Sequence, residues 1–97
     1  MRYQIVFDMK AVDDLRRLRA ADRSEVRDAI ERHVRFEPTR VSRSRIKRLR
    51  DLRHPQCRLR VGEMCVFYDV MEHEVQVLAV VAKADADEWL RREGVSQ

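Results

Sequence analysis

Apolar residues recur with two different periods in the first third of the chain. Tyr3, Ile5 and Phe7 recur with period two, which predicts a first strand that ends at Asp8. Over residues 11–18 the apolar positions fall at helical spacing with arginines between them. We therefore expect an amphipathic first helix that begins after Asp8, whose carboxylate can cap it.

A second helix is predicted by a longer apolar stripe. Asp22 and Glu25 have the spacing of a capping box, and Pro38 requires the helix to end near Phe36. His33 lies on the stripe, where we expect a packed or hydrogen-bonded core histidine rather than a catalytic one. The stripe consists of Val26, Ala29, Ile30, His33 and Val34.

In the rest of the chain, the spacing of apolar residues predicts several strands and one terminal helix. Residues 45–50 alternate as a charged edge strand, and 75–81 are nearly all apolar, as in an interior strand. Residues 84–92 form a last helix that Trp89 and Leu90 attach to the core. The predicted fold class is α+β, with the order β-α-α-β-β-β-α and a helical hairpin on one face of an antiparallel sheet.

Two further strands, 58–61 and 64–70, are joined by Gly62-Glu63, which suits a two-residue hairpin turn. This turn places Arg60 opposite Cys65 and Arg58 opposite Phe67, so that both arginines share one face of the sheet. We expect that face to stay free of the helical hairpin. In this pairing Cys57 lies far from Cys65, which argues against a disulfide between them.

Length and charge narrow the class of protein. A chain of 97 residues predicts one domain spanning 1–97. Residues 40–60 contain nine cationic side chains and the single acid Asp51, a charge of +8 that leaves −4 on the remainder. This block suits a polyanion, although a solvated strand edge that discourages aggregation would have the same composition. The N-terminal segment lacks a signal or membrane pattern and only two cysteines occur, so we expect a cytoplasmic protein without a metal or other cofactor.

The side chains that could carry chemistry in this sequence are mainly arginines and lysines. Phosphate loops, paired carboxylates and nucleophile triads are absent, which leaves the common hydrolase classes unsupported. Arg58 and Arg60 could clamp a phosphate, with Lys47 as a candidate base and His54 near the same face. Simple solvation of both arginines is the alternative at this point.

The segment KRLRDLRHPQCRLRVGEMCVFYDV, residues 47–70, resembles the central motif of RelE/ParE-superfamily toxins, and the opening strand and two helices are similar as well. The resemblance implies a ribosome-dependent mRNA endonuclease, silenced by an antitoxin encoded beside it in a hetero-oligomer, with ribosome and mRNA as its other partners. It implies that Arg58 and Arg60 serve in catalysis or phosphate contact and that residues 47–53 approach ribosomal RNA. We therefore expect Arg58, Arg60 and Lys47 to be catalytic, with Lys83 as a partial substitute for a missing arginine. The residues expected to bind RNA are Arg43, Arg45, Arg48, Arg50, Arg53 and His54.

The sequence departs from the family pattern at three places. Cys65 stands where the family usually has an arginine, residues 82–85 lack a second arginine, and Trp89 lies where RelE-like enzymes place a tyrosine. A neutral thiol cannot replace a charge that stabilises a transition state. Two alternatives therefore remain: a ParE-like toxin that binds gyrase without catalysis, and a weakened toxin that mainly binds its antitoxin.

Overall fold

Residues with helical spacing form helices in the structure, and residues that alternate form strands. The computed structural model describes residues 1–97 and contains the three predicted helices and a strand at each of the five predicted strand ranges, one more than the order β-α-α-β-β-β-α counts, together with two short additional strands. A 3₁₀ turn, Lys83–Asp85, precedes the last helix. The elements are β1 (Gln4–Phe7), α1 (Met9–Arg17), α2 (Ala20–His33), β2 (Ile46–Arg48), β3 (Leu52–His54), β4 (Cys57–Val61), β5 (Met64–Val70), β6 (Glu74–Ala82), α3 (Ala86–Glu93) and β7 (Val95–Ser96).

The main sheet has five strands in the order β1-β6-β5-β4-β2. The apolar strand β6 lies between β5 and β1, as its composition predicts. The prediction of an antiparallel sheet was wrong at one position, because β1 pairs with β6 in parallel, with Ile5 opposite Val75. The two helices between β1 and β2 carry the chain to the opposite edge of the sheet. The parallel pairing of β1 with β6 makes the sheet mixed.

Helices α1 and α2 pack on one face of the sheet through their apolar stripes. Leu15 and Ile30 are buried there against Leu59 and Val66 of the central strands. Burying an aliphatic side chain of this size stabilises the fold by about 1.5–3 kcal/mol. This layer is the larger of the two apolar cores and contains most of the buried residues.

The starts of the two helices differ from the prediction in their details. Asp8 is the residue before α1, yet only its carbonyl takes part, accepting a hydrogen bond from the Val12 amide at 3.0 Å. Helix α2 begins at Ala20 after the extended residue Arg19, so the predicted capping box of Asp22 and Glu25 lies inside the helix. The chain reverses within two residues between α1 and α2, which starts α2 earlier than the capping pattern indicates.

The hairpin of β4 and β5 has the predicted register. Val61 pairs with Met64, Arg60 with Cys65 and Arg58 with Phe67. Gly62 has a φ of 56°, a conformation that favours glycine, which explains this residue at the turn. Both cysteines are free thiols, as predicted.

Helix α3 covers part of the sheet face opposite the helical hairpin, and that face stays free of α1 and α2 as expected. Trp89 stacks on Phe67 with ring centroids 4.8 Å apart and the planes inclined by 5°. Ala86 and Ala79 complete this second, smaller core. After α3, β7 pairs with β3, so the C-terminal residues return to the segment before β4.

The longest helix, α2, has 14 residues. None of the three helices combines the length and the apolar character needed to cross a bilayer.

Candidate nucleic-acid interface

Four cationic side chains lie on the part of the sheet that α3 leaves open. Arg58 lies in the middle of β4, directly between Lys47 of β2 and Phe67 of β5. Directly paired residues project to the same side of an antiparallel sheet, so Lys47 and Arg58 share a face with Arg60, two residues further along β4. We call Lys47, Arg58, Arg60 and Lys83 the basic face.

Lys83 reaches this face from another part of the chain. It follows β6, and its backbone amide donates a 2.7 Å hydrogen bond to the Glu63 carbonyl in the turn of the hairpin. The lysine therefore lies beside the end of β4 and β5 that carries Arg60 and Cys65. The structure thus brings together the four residues that the resemblance implies are catalytic.

Arg58 has the most unusual environment of the four. Its side chain is half-buried, and its Nε atom is fully buried without a hydrogen-bond partner. Arg60 is also half-buried, but its Nε donates to the Gly62 carbonyl at 3.2 Å. A buried donor without a partner costs about 1–3 kcal/mol. Because Nε is closed to solvent, a bound anion would use the other nitrogens of the Arg58 guanidinium group, which also make no hydrogen bond within the protein.

The basic face is electrostatically uncompensated. Neither arginine and neither lysine of the face lies within 4.0 Å of a carboxylate, since all seven ion pairs of the structure involve other residues. Unpaired cations held on one rigid face produce a positive potential that attracts anions. This arrangement suits a phosphate chain better than a neutral ligand.

Cys65 lies among these cations, whose positive charges act on its thiol. Burial raises the pKa of the Cys65 thiol, whereas the positive charges of Arg58, Arg60 and Lys83 lower it. Burial has the larger effect, so the thiol is neutral at physiological pH. Where the family pattern has an arginine, this protein has an uncharged group in the middle of the basic face.

The residues predicted to bind RNA are not gathered on one face. Arg43, Arg48, Arg50 and Arg53 are exposed and form no ion pair, but they lie in the loop before β2, on β2, after β2 and on β3. Arg45, directly before β2, lines a cavity with His33 near the end of α2. Its carbonyl accepts a 2.8 Å hydrogen bond from the Arg60 amide, so the backbone pairing with β4 extends one residue beyond β2.

His54 is placed away from the basic face. Its Nδ1 atom lies 2.7 Å from Oδ2 of Asp69, and it lines a different cavity, of about 250 Å³, with Lys10 and Trp89. Asp69 also accepts a 2.9 Å hydrogen bond from the Gln56 amide. Sequence reasoning missed Asp69, although it is the single acid within the apolar run of β5 and only 4% exposed. That isolated position was the available signal.

No cluster of three or more histidine, cysteine or carboxylate side chains could hold a metal ion. Trp89, predicted to be core, is 7% exposed and buried against Phe67. Neither observation adds a proton donor to the basic face.

Comparison with known proteins identifies the architecture. No protein-family profile matches the chain, and no curated protein matches it. Among solved structures, the toxin–antitoxin complex RelBE2 from Mycobacterium tuberculosis matches with a TM-score of 0.71 at 24% identity, over 84% of this chain and 99% of that one. The protein has the RelE fold.

Two further structures show how widely the RelE fold is shared. A free-state double mutant of the Escherichia coli toxin RelE matches with a TM-score of 0.71 at 21% identity, over 96% of this chain and 99% of that one. The RelE–RelB complex from the archaeon Pyrococcus horikoshii matches with a TM-score of 0.69 at 19% identity, over 86% and 97%. The order of helical hairpin, strands and terminal helix is that of the RelE fold throughout.

Proposed function

We propose that this protein is the toxin of a toxin–antitoxin pair and that it cleaves mRNA on the ribosome. The observation that carries the proposal is the basic face, with four unpaired cations around the buried, partnerless Nε of Arg58. The RelE fold supports the same class, because four of the matched structures are RelBE or RelE–RelB toxin–antitoxin complexes. We propose a cytoplasmic protein whose antitoxin is a small protein encoded beside it.

The reaction that suits this face is attack by the 2′-hydroxyl of RNA on the adjacent phosphorus. The new bond from the 2′-oxygen forms a cyclic phosphate, and the bond to the 5′-oxygen breaks. Arg58 and Arg60 hold the phosphate and stabilise the charge that develops on it. Lys47, as the neutral amine formed when its ammonium releases a proton to solvent, accepts the 2′-proton, and the Lys83 ammonium protonates the departing oxygen, which leaves the protons balanced. No metal is required for these steps.

The test is cleavage of ribosome-bound mRNA in a purified translation system, read by mapping the 3′ ends of the message. We expect codon-positioned cuts with the wild type and a loss of at least about 100-fold in Arg58→Ala/Arg60→Ala, because each lost charge-stabilising donor slows such steps by about 10²-fold. The matched control is Arg16→Ala/Arg27→Ala, which removes two exposed helix arginines that form no ion pair. Circular dichroism verifies that both variants are folded.

Unchanged cleavage by Arg58→Ala/Arg60→Ala would contradict the proposed site. Intact mRNA with the wild-type protein would contradict the proposed reaction and favour the second candidate, a ParE-like toxin that binds gyrase without catalysis. One observation favours that candidate: the neutral, buried Cys65 in the middle of the basic face. Accumulation of gyrase-linked DNA breaks would identify it. If neither activity is found, a toxin that mainly binds its antitoxin remains.

A further inference from the structure

A second cationic site lies outside the basic face, at the outer edge of β2. A surface cavity of about 400 Å³ opens between the end of α2 and the loop that precedes β2. Its lining is almost entirely polar and includes Arg32, His33, Arg40, Ser42 and Arg45. None of the residues of the basic face contributes to it.

His33 has a polar atom that the protein itself does not satisfy. Its Nε2 atom is fully buried and has no hydrogen-bond partner, although the side chain as a whole is only half-buried. Burial, together with the positive charges of Arg45 and Arg32, lowers the pKa of His33, so the imidazole is neutral at physiological pH. A neutral imidazole can still donate one N–H, and here that donor has no acceptor.

The charges that surround this imidazole are also unpaired. Arg32 and Arg45 form no ion pair, whereas Arg40 lies 3.2 Å from Glu37 and is neutralised locally. Of the nearby carboxylates, Glu37 lines the cavity and pairs with Arg40, and Glu31 pairs with Arg35. The carboxylates that line the adjoining cavity, Asp28 and Glu25, form no ion pair with Arg32 or Arg45. The site therefore combines two free guanidinium groups with a buried N–H donor.

The loop that carries Arg45 is held in place by a serine. The Ser42 hydroxyl oxygen accepts hydrogen bonds from the backbone amides of Arg45 and Ile46, at 3.2 and 3.1 Å. Ile46 is buried in the main core, which anchors the segment further. Because this backbone is fixed before any ligand arrives, binding loses less conformational entropy.

We propose that this cavity binds a phosphate group, with Arg32 and Arg45 supplying charge-assisted hydrogen bonds and His33 donating through Nε2. Guanidinium groups match the oxygens of phosphate in a bidentate manner, and a phosphate oxygen accepts from the imidazole as well. The cavity is large enough for the sugar attached to that phosphate. The ligand can be a free phosphate or nucleotide, or one phosphate of an RNA chain.

The test follows the His33 ring resonances by NMR while inorganic phosphate is added at constant ionic strength. We expect a saturable shift, and a His33 pKa that rises in phosphate because a neighbouring anion favours the imidazolium form. By linkage, protonation of His33 strengthens phosphate binding as the pH falls, while protonation of the phosphate dianion acts in the opposite direction, so the rise of the His33 pKa is the decisive observation. Acetate at the same ionic strength is the control anion and should produce no saturable shift.

Two variants distinguish a specific phosphate site from general attraction by positive charge. Arg45→Gln changes an exposed side chain and should weaken phosphate binding about tenfold, which corresponds to about 1.4 kcal/mol. Arg16→Gln removes an equal charge from the surface of α1 and should leave the affinity unchanged. Absence of a saturable shift, equal binding of acetate, or equal weakening in both variants would overturn the proposal.

The source of the phosphate is decided with a 5′-mononucleotide and an oligoribonucleotide. Equal affinity for phosphate and both compounds identifies a site for free phosphate, whereas tighter binding of the oligonucleotide identifies RNA. Arg58→Ala/Arg60→Ala should still show the His33 response to inorganic phosphate. This result keeps the present inference independent of the proposed nuclease, and loss of the response in that variant would contradict it.

Discussion

Asp69 shows how a single buried charge organises the segment before β4. Its two oxygens accept from the Gln56 amide and contact Nδ1 of His54, and its own side chain is almost fully buried. Gln56 continues the network, because its side-chain oxygen accepts from the Val70 amide at 3.1 Å. The segment that connects β3 to β4 is thus fixed to the end of β5 by three hydrogen bonds.

Removing Asp69 should destabilise the fold. Asp69→Ala leaves the buried Gln56 amide without an acceptor, so we expect the free energy of unfolding to fall by about 2 kcal/mol. His54→Ala should cost less, because the imidazole is 48% exposed and water can replace it at the carboxylate. Urea denaturation of both variants measures the difference. Equal losses would show that the histidine, and not the amide, is the important partner.

Side-chain directions were predictable wherever a regular strand fixes them. Arg58 and Arg60 lie on the predicted face because the two-residue turn at Gly62-Glu63 sets the register of the whole hairpin. Arg45 and His54 each lie at or beyond the end of a short strand, where alternation does not fix a side-chain direction, and their role in RNA binding stays a prediction. Contacts such as that of His54 with Asp69 join distant parts of the chain, and local periodicity does not encode them.

At the scale of elements, α3 depends on one aromatic contact. The eight residues of this helix are too few for independent stability, so packing of Trp89 and Ala86 against Phe67 must hold it on the sheet. The position of α3 determines how much of this sheet face stays exposed, because the basic face lies next to the part that α3 covers.

Truncation of that contact should loosen the helix and lower the overall stability. We expect Trp89→Ala to reduce the free energy of unfolding by about 3–5 kcal/mol, as for other buried aromatic residues. Trp89→Phe keeps a ring against Phe67 and should cost less. Thermal unfolding followed by circular dichroism compares the two variants. A loss below about 1 kcal/mol for Trp89→Ala would contradict the role given to this stack.

Element order could be predicted more completely than element pairing. The order of helices and main strands follows from periods in the sequence, and the interior position of β6 follows from its continuous apolar run. The parallel pairing of β1 with β6 did not follow, because residues 4–7 and 74–77 are far apart in the chain. The short strands β3 and β7 have too few residues for a detectable period.

At the scale of the whole molecule, the cationic residues of 40–60 cover several surfaces around β2 and β4. If RNA crosses the basic face, its affinity must depend on salt through the counterions that the protein displaces. The loop arginines would contribute to this dependence without contacting the reacting phosphate.

The slope of RNA affinity against salt concentration therefore measures how many phosphates the basic face contacts. We expect the affinity for single-stranded RNA to fall linearly in a double-logarithmic plot against salt concentration. Arg58→Ala/Arg60→Ala should reduce the slope by about 1.4, at roughly 0.7 for each lost contact. Fluorescence anisotropy at several salt concentrations measures it, with Arg16→Ala/Arg27→Ala as the control. Equal slopes for wild type and Arg58→Ala/Arg60→Ala would contradict RNA binding at this face.

The parallel pairing of β1 with β6 also has a consequence for synthesis of the protein. Strand β1 leaves the ribosome first, yet its partner Glu74–Val77 is made only after β2 to β5. An interior strand of the sheet, β6, is thus among the last parts translated, and long-range pairing of this kind forms slowly. An unfinished chain that ends before β6 lacks the strand joining β1 to β5. We therefore expect interrupted translation products to be harmless to the cell that makes them.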